Sequence, residues 1–235
     1  MANYSFADRL GRARSMQAAI DSFSPAFDPA DESLSATAFA AMLDELETMN
    51  AAVDQQLDQY KTGVDERKAM LKDLQLRAGR VLSLINSNQA WARYQRSVKS
   101  VVDKIRGNRP KSPKPPSGSE SAAQTKNRRT GHRSFAEMES HLNRLTATLQ
   151  KIADYDPPAP ELSIAELQSL HTALSTKNLA MVDLDQELSM KQRDRAAAYD
   201  GERGLREQMK AIKAAVRAQY GSRSSEHAAV SGIRL

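Results

Sequence analysis

The 235-residue chain contains no cysteine. This absence excludes disulfides, zinc–thiolate sites, iron–sulfur ligation and a cysteine nucleophile. Aromatic residues make up only 5% of the chain, and Val, Ile, Thr and aromatic residues do not form the alternating runs that a sheet requires. Ala, Leu, Gln, Glu, Lys and Arg dominate instead, and these residues lose little side-chain entropy in a helix. The composition therefore predicts an all-α protein.

Long apolar runs are also missing. No stretch approaches the roughly 18 apolar residues of a membrane span. Residues 1–12 carry charge where a secretory signal would have its apolar segment. A mean hydropathy of −0.60 with 40% hydrophobic residues is typical of a water-exposed protein that still has a core. We expect a cytoplasmic protein without membrane association.

Positive charge is concentrated in the middle of the chain. Residues 93–133 contain twelve Lys or Arg and two acidic residues, whereas the rest of the chain contains 22 basic and 27 acidic residues. The high pI of about 9.4 therefore arises from this segment, which we call the basic belt (residues 93–133), and not from charge spread over the whole protein. Within the belt, residues 108–133 are rich in Pro and Ser, cannot continue a helix and predict a linker.

The sequences on the two sides of this linker resemble each other, which indicates an internal duplication. Ser5-Phe6-Ala7 corresponds to Ser134-Phe135-Ala136. The further pairs are Asp28 with Asp156, Leu34 with Leu162, Met42 with Leu170, Leu46 with Leu174, Asn50 with Asn178, and Arg67 with Arg195. The offset falls from 128 to 114 near the ends of the repeats, so the second repeat lacks about 14 residues. We predict two tandem, unequal helical-bundle repeats (1–107 and 134–221), joined by the linker and followed by a tail (222–235).

Each repeat is expected to contain a first helix, a Pro-containing turn, a long helix and one or two closing helices. Ser163 and Glu166 form a capping-box pattern at the start of the second long helix, for which we predict residues 163–199. Gly63 is a candidate break in the first long helix. Gly107 and Gly221 stand where helix C-caps are expected. The predicted helices are 4–22, 71–85, 89–106, 134–154 and 202–220, besides the long ones.

The long helices carry apolar residues at a period of 3.5, as in helices that pack at shallow angles. We define the apolar seam as Met42, Leu46, Met49, Val53, Leu170, Leu174, Met181 and Leu184. This seam predicts either an intramolecular core or a surface for assembly, and the sequence leaves both open.

The Pro turns before the long helices, the Val-Lys-x-x-Val pattern beginning at Val98 and the terminal Val230-Ser-Gly-Ile233 resemble a group of uncharacterised bacterial hypothetical proteins with a duplicated helical layout. The resemblance implies a bacterial helical repeat protein and carries over no catalytic residues.

The residue pattern favours no enzymatic chemistry. Catalysis needs a nucleophile or metal, a base and a group that stabilises developing charge. The four histidines (132, 141, 171 and 227) are scattered, and the acidic clusters at 44–47 and 183–187 lack the Glu-x-x-His pattern of a carboxylate-bridged metal site. We therefore predict no catalytic residue, no metal, no cofactor and no small-molecule substrate.

Trp91 and Tyr94 alternate with Arg93 and Arg96, which suits either base stacking or packing of the rings inside a bundle. We favour packing, because bundles need aromatic anchors. The belt residues that could contact phosphates or an acidic partner are Arg93, Arg96, Arg109, Lys111, Lys114, Lys126, Arg128, Arg129 and Arg133.

The sequence thus predicts a non-enzymatic helical structural or interaction protein, one that associates with itself or with another protein through its long amphipathic helices. The alternative is a nucleic-acid-associated protein that binds phosphates through the basic belt. A purely solubilising linker is the third interpretation of the belt.

Overall fold

The computed structural model describes residues 5–107 and 134–234, and within them it contains helices and turns but no strand. The α-helices are α1 (Phe6–Asp21), α2 (Ala36–Ser87), α3 (Ala92–Arg106), α4 (Phe135–Leu149), α5 (Ile164–Asp200), α6 (Leu205–Tyr220) and α7 (Ser225–Ser231). Three 3-10 turns precede α2, α3 and α5 at Glu32–Leu34, Gln89–Trp91 and Pro160–Leu162. The all-α prediction is confirmed. No described helix combines the length and apolar composition needed to cross a membrane.

Helices α1 and α4 begin in the same way. The Ser5 hydroxyl accepts from the Asp8 N–H at 3.1 Å, and the Asp8 carboxylate accepts from the Ser5 N–H at 3.3 Å. Ser134 and Glu137 repeat this capping box at 3.2 and 3.1 Å. Each box satisfies two backbone donors that a helix start would otherwise leave without a partner.

The starts of α2 and α5 are also alike. The Ser35 hydroxyl accepts from the Ala38 N–H at 3.2 Å, and the Ser163 hydroxyl accepts from the Glu166 N–H at 3.3 Å. Helix α5 begins one residue after the predicted start and ends at Asp200, one residue after the predicted end.

The first long helix is longer than expected. Helix α2 runs without interruption through Gly63 and spans 52 residues, about 78 Å at 1.5 Å per residue. The candidate break at Gly63 is therefore wrong, as is the separate helix expected at 71–85. A single glycine costs a helix only about 1 kcal/mol relative to alanine, which the packing of a long helix readily offsets.

The chain forms two compact units, each with its own core. Of the described residues, unit 1 contains 5–60 and 184–234, and unit 2 contains 61–107 and 134–183. Each long helix therefore contributes one part to each unit. In unit 1, residues 36–60 of α2 and 184–200 of α5 combine with α1, α6 and α7. In unit 2, the remaining parts of α2 and α5 combine with α3 and α4.

The core of unit 1 joins residues from both sides of the linker. Its fully buried side chains include Met16, Phe39, Leu43, Tyr199 and Ile212. The Arg9 guanidinium donates to the Asp200 carboxylate at 2.6 Å and lies 4.9 Å from the centre of the Tyr199 ring. This ion pair lowers the pKa of Asp200.

The C-terminal tail belongs to the same core. Val230 in α7 is fully buried, and Ile233 packs against the cluster. The Lys213 ammonium donates to the carbonyl oxygen of Ile233, and the Arg12 guanidinium donates to that of Arg234 at 2.8 Å. The tail, predicted as a separate segment, is therefore an integral part of unit 1.

The core of unit 2 likewise joins both sides of the linker. It is built from side chains of α2, α3, α4 and α5, among them Val81, Val98, Leu145 and Leu167. Trp91 is 8% exposed and packs against Tyr155, with ring centres 5.7 Å apart. The expected packing role of Trp91 is thus confirmed.

The two units do not follow the predicted domains 1–107 and 134–221. The predicted linker 108–133 lies outside the described residues, and the units divide within α2 and α5 instead. The reason is physical: the period of apolar residues shows which face of a helix is buried, but not which part of the chain buries it.

Candidate anion-binding groove

Helices α3 and α4 pack side by side in unit 2 and leave a polar groove along their outer surface. On α3, Val98, Val102 and Ile105 are buried in the core. Arg96, Ser100 and Lys104 follow one another at intervals of four residues and therefore line a different face of the same helix. This spacing places the two cations about 12 Å apart along α3.

Helix α4 supplies the other wall. Leu142, Leu145 and Leu149 are fully buried. Arg144 is exposed on α4, and Lys151 is exposed in the turn that follows the helix. The groove is lined by Arg96, Ser97, Ser100, Val101, Lys104, Arg144, Ala147, Thr148 and Lys151. We call it the α3–α4 groove.

The four cations of the α3–α4 groove have no counter-charge within the described part of the chain. No carboxylate lines the groove, and Arg96, Lys104, Arg144 and Lys151 make no ion pair with a described residue. The nearby acid Asp103 pairs along α3 with Lys99, at 3.7 Å. The positive charge of the groove is therefore available to an external anion.

The hydroxyl groups of the groove differ in whether they are free to donate a hydrogen bond to a ligand. Thr148 donates to the carbonyl oxygen of Arg144 at 2.8 Å, so its hydrogen is already engaged. Ser97 and Ser100 are exposed, and their hydroxyl groups make no hydrogen bond to a described residue. They can donate to an oxygen of a bound anion.

One end of the groove is fixed by Tyr94. Its hydroxyl donates to the carbonyl oxygen of Lys151 at 2.7 Å, which links the start of α3 to the end of α4. The Arg93 guanidinium lies 4.7 Å from the centre of the same ring. Tyr94 therefore links α3 to the end of α4, and its ring is not a free face on which a base could stack.

The groove is not a pocket for a small apolar molecule. Its volume of about 490 Å³ lies within the roughly 300–1,000 Å³ of small-molecule sites. Those sites are mostly apolar, however, whereas Val101 and Ala147 are the apolar lining residues here. The arrangement suits an extended anion that remains in contact with water.

A second basic cluster, in unit 1, is already used by the protein itself. Lys210 pairs with Glu207 at 2.7 Å, and Lys213 donates to the carbonyl oxygen of Ile233 in the tail. Burial lowers the pKa of Lys213, and the nearby charge of Arg234 lowers it further. Lys213 thus holds the tail and Lys210 is paired within α6, so both are less available than the cations of the α3–α4 groove.

The predicted phosphate-contacting residues fall into two groups. Arg96 lines the groove and Arg93 stacks on Tyr94. The remaining seven residues lie outside the described residues: Arg109, Lys111, Lys114, Lys126, Arg128, Arg129 and Arg133. Sequence reasoning did not single out Lys104, and it missed Arg144 and Lys151, which lie beyond the basic belt. The spacing of seven residues between Arg144 and Lys151 was the available signal.

Four residues of the apolar seam are buried and the other four are partly buried. Leu46 and Leu174 are 1% exposed, Val53 is 2% exposed and Met181 is 4% exposed. Met42 and Met49 are partly buried against the core of unit 1, and Leu170 is partly buried against that of unit 2. Leu184 is also partly buried.

Side chains that could hold a metal ion are not brought together in the described part of the chain, where no group of three or more His, Asp or Glu has suitable geometry. His171 lies 3.9 Å from Glu139, which also accepts from the Asn178 amide at 3.1 Å.

Comparison of the chain with protein-family models, with curated proteins and with solved structures gives no match.

Proposed function

We propose that this protein is a non-enzymatic helical interaction protein that binds an anionic partner in the α3–α4 groove. The observation that most strongly supports this proposal is that four cations line one groove and have no counter-charge among the described residues. They are Arg96, Lys104, Arg144 and Lys151. Four like charges held on two packed helices repel one another and create a positive potential that a polyanion relieves.

The helices around the groove act as a rigid support. The walls of the groove stand on side chains that are fully buried, including Val98, Val102, Leu142 and Leu145. A binding surface on packed helices keeps its charges in place, so little conformational entropy is lost when a partner binds. This favours a binding role over a catalytic one, because the groove offers cations and hydroxyl groups but no base or nucleophile pair.

We infer that the scaffold arose by duplication into two tandem, unequal repeats. Three pairs of equivalent features support this: the capping boxes at Ser5 and Ser134, the hydroxyl caps at Ser35 and Ser163, and the packing of an arginine on each first-helix phenylalanine. At the offset of 129 that relates Ser5 to Ser134, Arg144 and Lys151 correspond to Ser15 and Ser22. The basic groove is therefore a property of one unit and not of the repeat in general.

Self-association of the long helices remains a separate prediction. The seam residues are largely occupied by the cores, but Leu179 and Val182 on α5 are 67% and 53% exposed. If two copies associate through α5, replacing both residues by serine converts the assembly to a monomer in light scattering. A parent protein that is monomeric at high concentration contradicts self-association without affecting the groove.

The groove is tested with heparin, a densely sulfated polyanion. The groove variant carries Arg96→Gln, Lys104→Gln, Arg144→Gln and Lys151→Gln. The matched control carries Lys72→Gln, Arg193→Gln, Arg217→Gln and Arg223→Gln, four exposed cations outside the groove. We expect the groove variant to elute from a heparin column at clearly lower salt than the control, because the four cations it loses lie together in one groove.

Equal elution of the two variants contradicts the proposal, since both lose the same net charge. Circular dichroism and thermal unfolding of both variants check that the helices are intact. Both variants retain the seven Lys and Arg residues between 108 and 133, so their contribution cancels in the comparison.

A further inference from the structure

We propose that the anion bound in the α3–α4 groove is the phosphodiester backbone of a nucleic acid, recognised without regard to base sequence. This inference rests on the proposed function and adds the chemical class of the partner. It places the contact on Arg96, Lys104, Arg144 and Lys151 together, so half of the contact comes from α4 and the turn that follows it, outside the basic belt.

The lining of the groove distinguishes nucleic acid from an acidic protein. An acidic helix that docks between two helices needs apolar anchors, because the energy of protein interfaces is concentrated in buried apolar and aromatic side chains. The groove offers only Val101 and Ala147 for this purpose. Phosphate contacts need cations, hydroxyl groups and no apolar anchor, which is what Arg96, Ser97, Ser100 and their neighbours supply.

The charge of the adjoining chain supports the same partner. Residues 108–133, which connect α3 to α4, carry seven Lys or Arg and one Glu. This segment does not complement a basic groove, so it is not the anion that the groove requires. The groove therefore requires an external partner with repeated negative charge, and nucleic acid carries one negative charge per phosphate.

The groove offers no free aromatic face on which a base could stack. Tyr94, the aromatic residue at its end, is held by its hydrogen bond to Lys151 and covered by Arg93. Single-strand binding proteins stack bases on free aromatic faces, and no such face lines the groove. Contacts to phosphate alone fix position on the backbone but carry no sequence information.

The test is fluorescence anisotropy with labelled 20-base-pair DNA duplexes of two unrelated sequences, over a series of salt concentrations. Each phosphate contact contributes about −0.9 to the slope of log affinity against log salt concentration. The groove variant should therefore lose about 3 to 4 from the magnitude of the slope, with an affinity at least about tenfold lower at 0.1 M salt. The matched control should lose less than about 1.

Two further arms identify the source of the phosphate and exclude an acidic protein. An RNA duplex of the same length shows whether the protein prefers RNA or DNA, and binding of either with the groove-dependent slope supports the inference. Poly-glutamate of matched charge represents an acidic protein. If poly-glutamate binds in the groove and neither duplex does, the inference is overturned and the proposed function stands.

If heparin, poly-glutamate and both duplexes all fail to distinguish the groove variant from the control, the proposed function is overturned as well. Arg144→Gln and Lys151→Gln as single variants guard against misfolding of the fourfold variant. Each should reduce the magnitude of the slope by about 1. Unchanged slopes in both single variants, or a strong difference in affinity between the two DNA sequences, contradict the inference.

Discussion

The guanidinium carbon of Arg67 lies 3.4 Å from the centre of the Phe135 ring in unit 2. In unit 1, Arg195 lies 4.3 Å from the centre of the Phe6 ring. Arg67 and Arg195 occupy corresponding positions in the two proposed repeats, as do Phe6 and Phe135. Each arginine packs on a phenylalanine from the other side of residues 108–133, and each unit is assembled from helices on both sides of that segment.

This exchange predicts that the two halves of the chain hold together after the linker is cut. We would place a protease site within residues 108–133 and cleave the folded protein. Because each core contains buried side chains from both fragments, the fragments should co-elute in size-exclusion chromatography and separate only in denaturant. Fragments that separate under native conditions would show that 1–107 and 134–221 fold as independent domains instead.

The arginine–phenylalanine pairs should contribute measurably to stability. Replacing Arg195 by alanine removes the cation over Phe6 and the packing of its stem, and we expect a loss of about 0.5–2 kcal/mol in the free energy of unfolding. Urea denaturation measures the loss. Arg193→Ala, two residues earlier at an exposed position, serves as the control and should change stability by less than about 0.5 kcal/mol. Equal effects of the two variants would remove the role assigned to Arg195.

Tyr155 should make the stability of the protein fall at alkaline pH. Burial raises the pKa of Tyr155 to about 12, above the value of about 10 in an unfolded chain. The unfolded state therefore loses its proton first as the pH rises. The contribution of Tyr155 to stability is complete below pH 10 and declines between pH 10 and 12.

The measurement compares the parent protein with Tyr155→Phe by urea denaturation at pH 8 and pH 11, with the fluorescence of Trp91 as the signal. At pH 8 the variant should be less stable by about 1 kcal/mol, because it lacks the hydrogen bond to the carbonyl oxygen of Leu162. At pH 11 the difference should shrink, since only the parent is destabilised by ionisation of Tyr155. A difference that is the same at both pH values would contradict the raised pKa of Tyr155.

Local features of the fold could be predicted from the sequence. The capping-box spacing at Ser163 located the start of α5 to within one residue, and Gly107 adopts the left-handed φ of 71° that a helix C-cap requires. These signals depend on residues close together in the chain. The prediction of a helix break at Gly63 was wrong because one glycine changes helix stability less than tertiary packing does.

The pairing of distant segments could not be predicted. The seam correctly marked Leu46 and Leu174 as apolar positions, but nothing in their spacing shows that they belong to two different cores. For the same reason, only part of the groove could be predicted from the sequence. Arg96 stood out within a basic stretch, whereas Arg144 and Lys151 join it only because α3 and α4 pack together.

The most direct test of the α3–α4 groove is lysine footprinting of the complex with a DNA duplex. The protein is acetylated with and without the duplex, and modification of each lysine is measured by mass spectrometry. Lys104 and Lys151 line the groove and should be strongly protected by the duplex. Lys72, exposed on α2 in the same unit and outside the groove, should react at the same rate in both samples. If the bound duplex slows acetylation of Lys104 and Lys151 no more than that of Lys72, binding in the groove is contradicted.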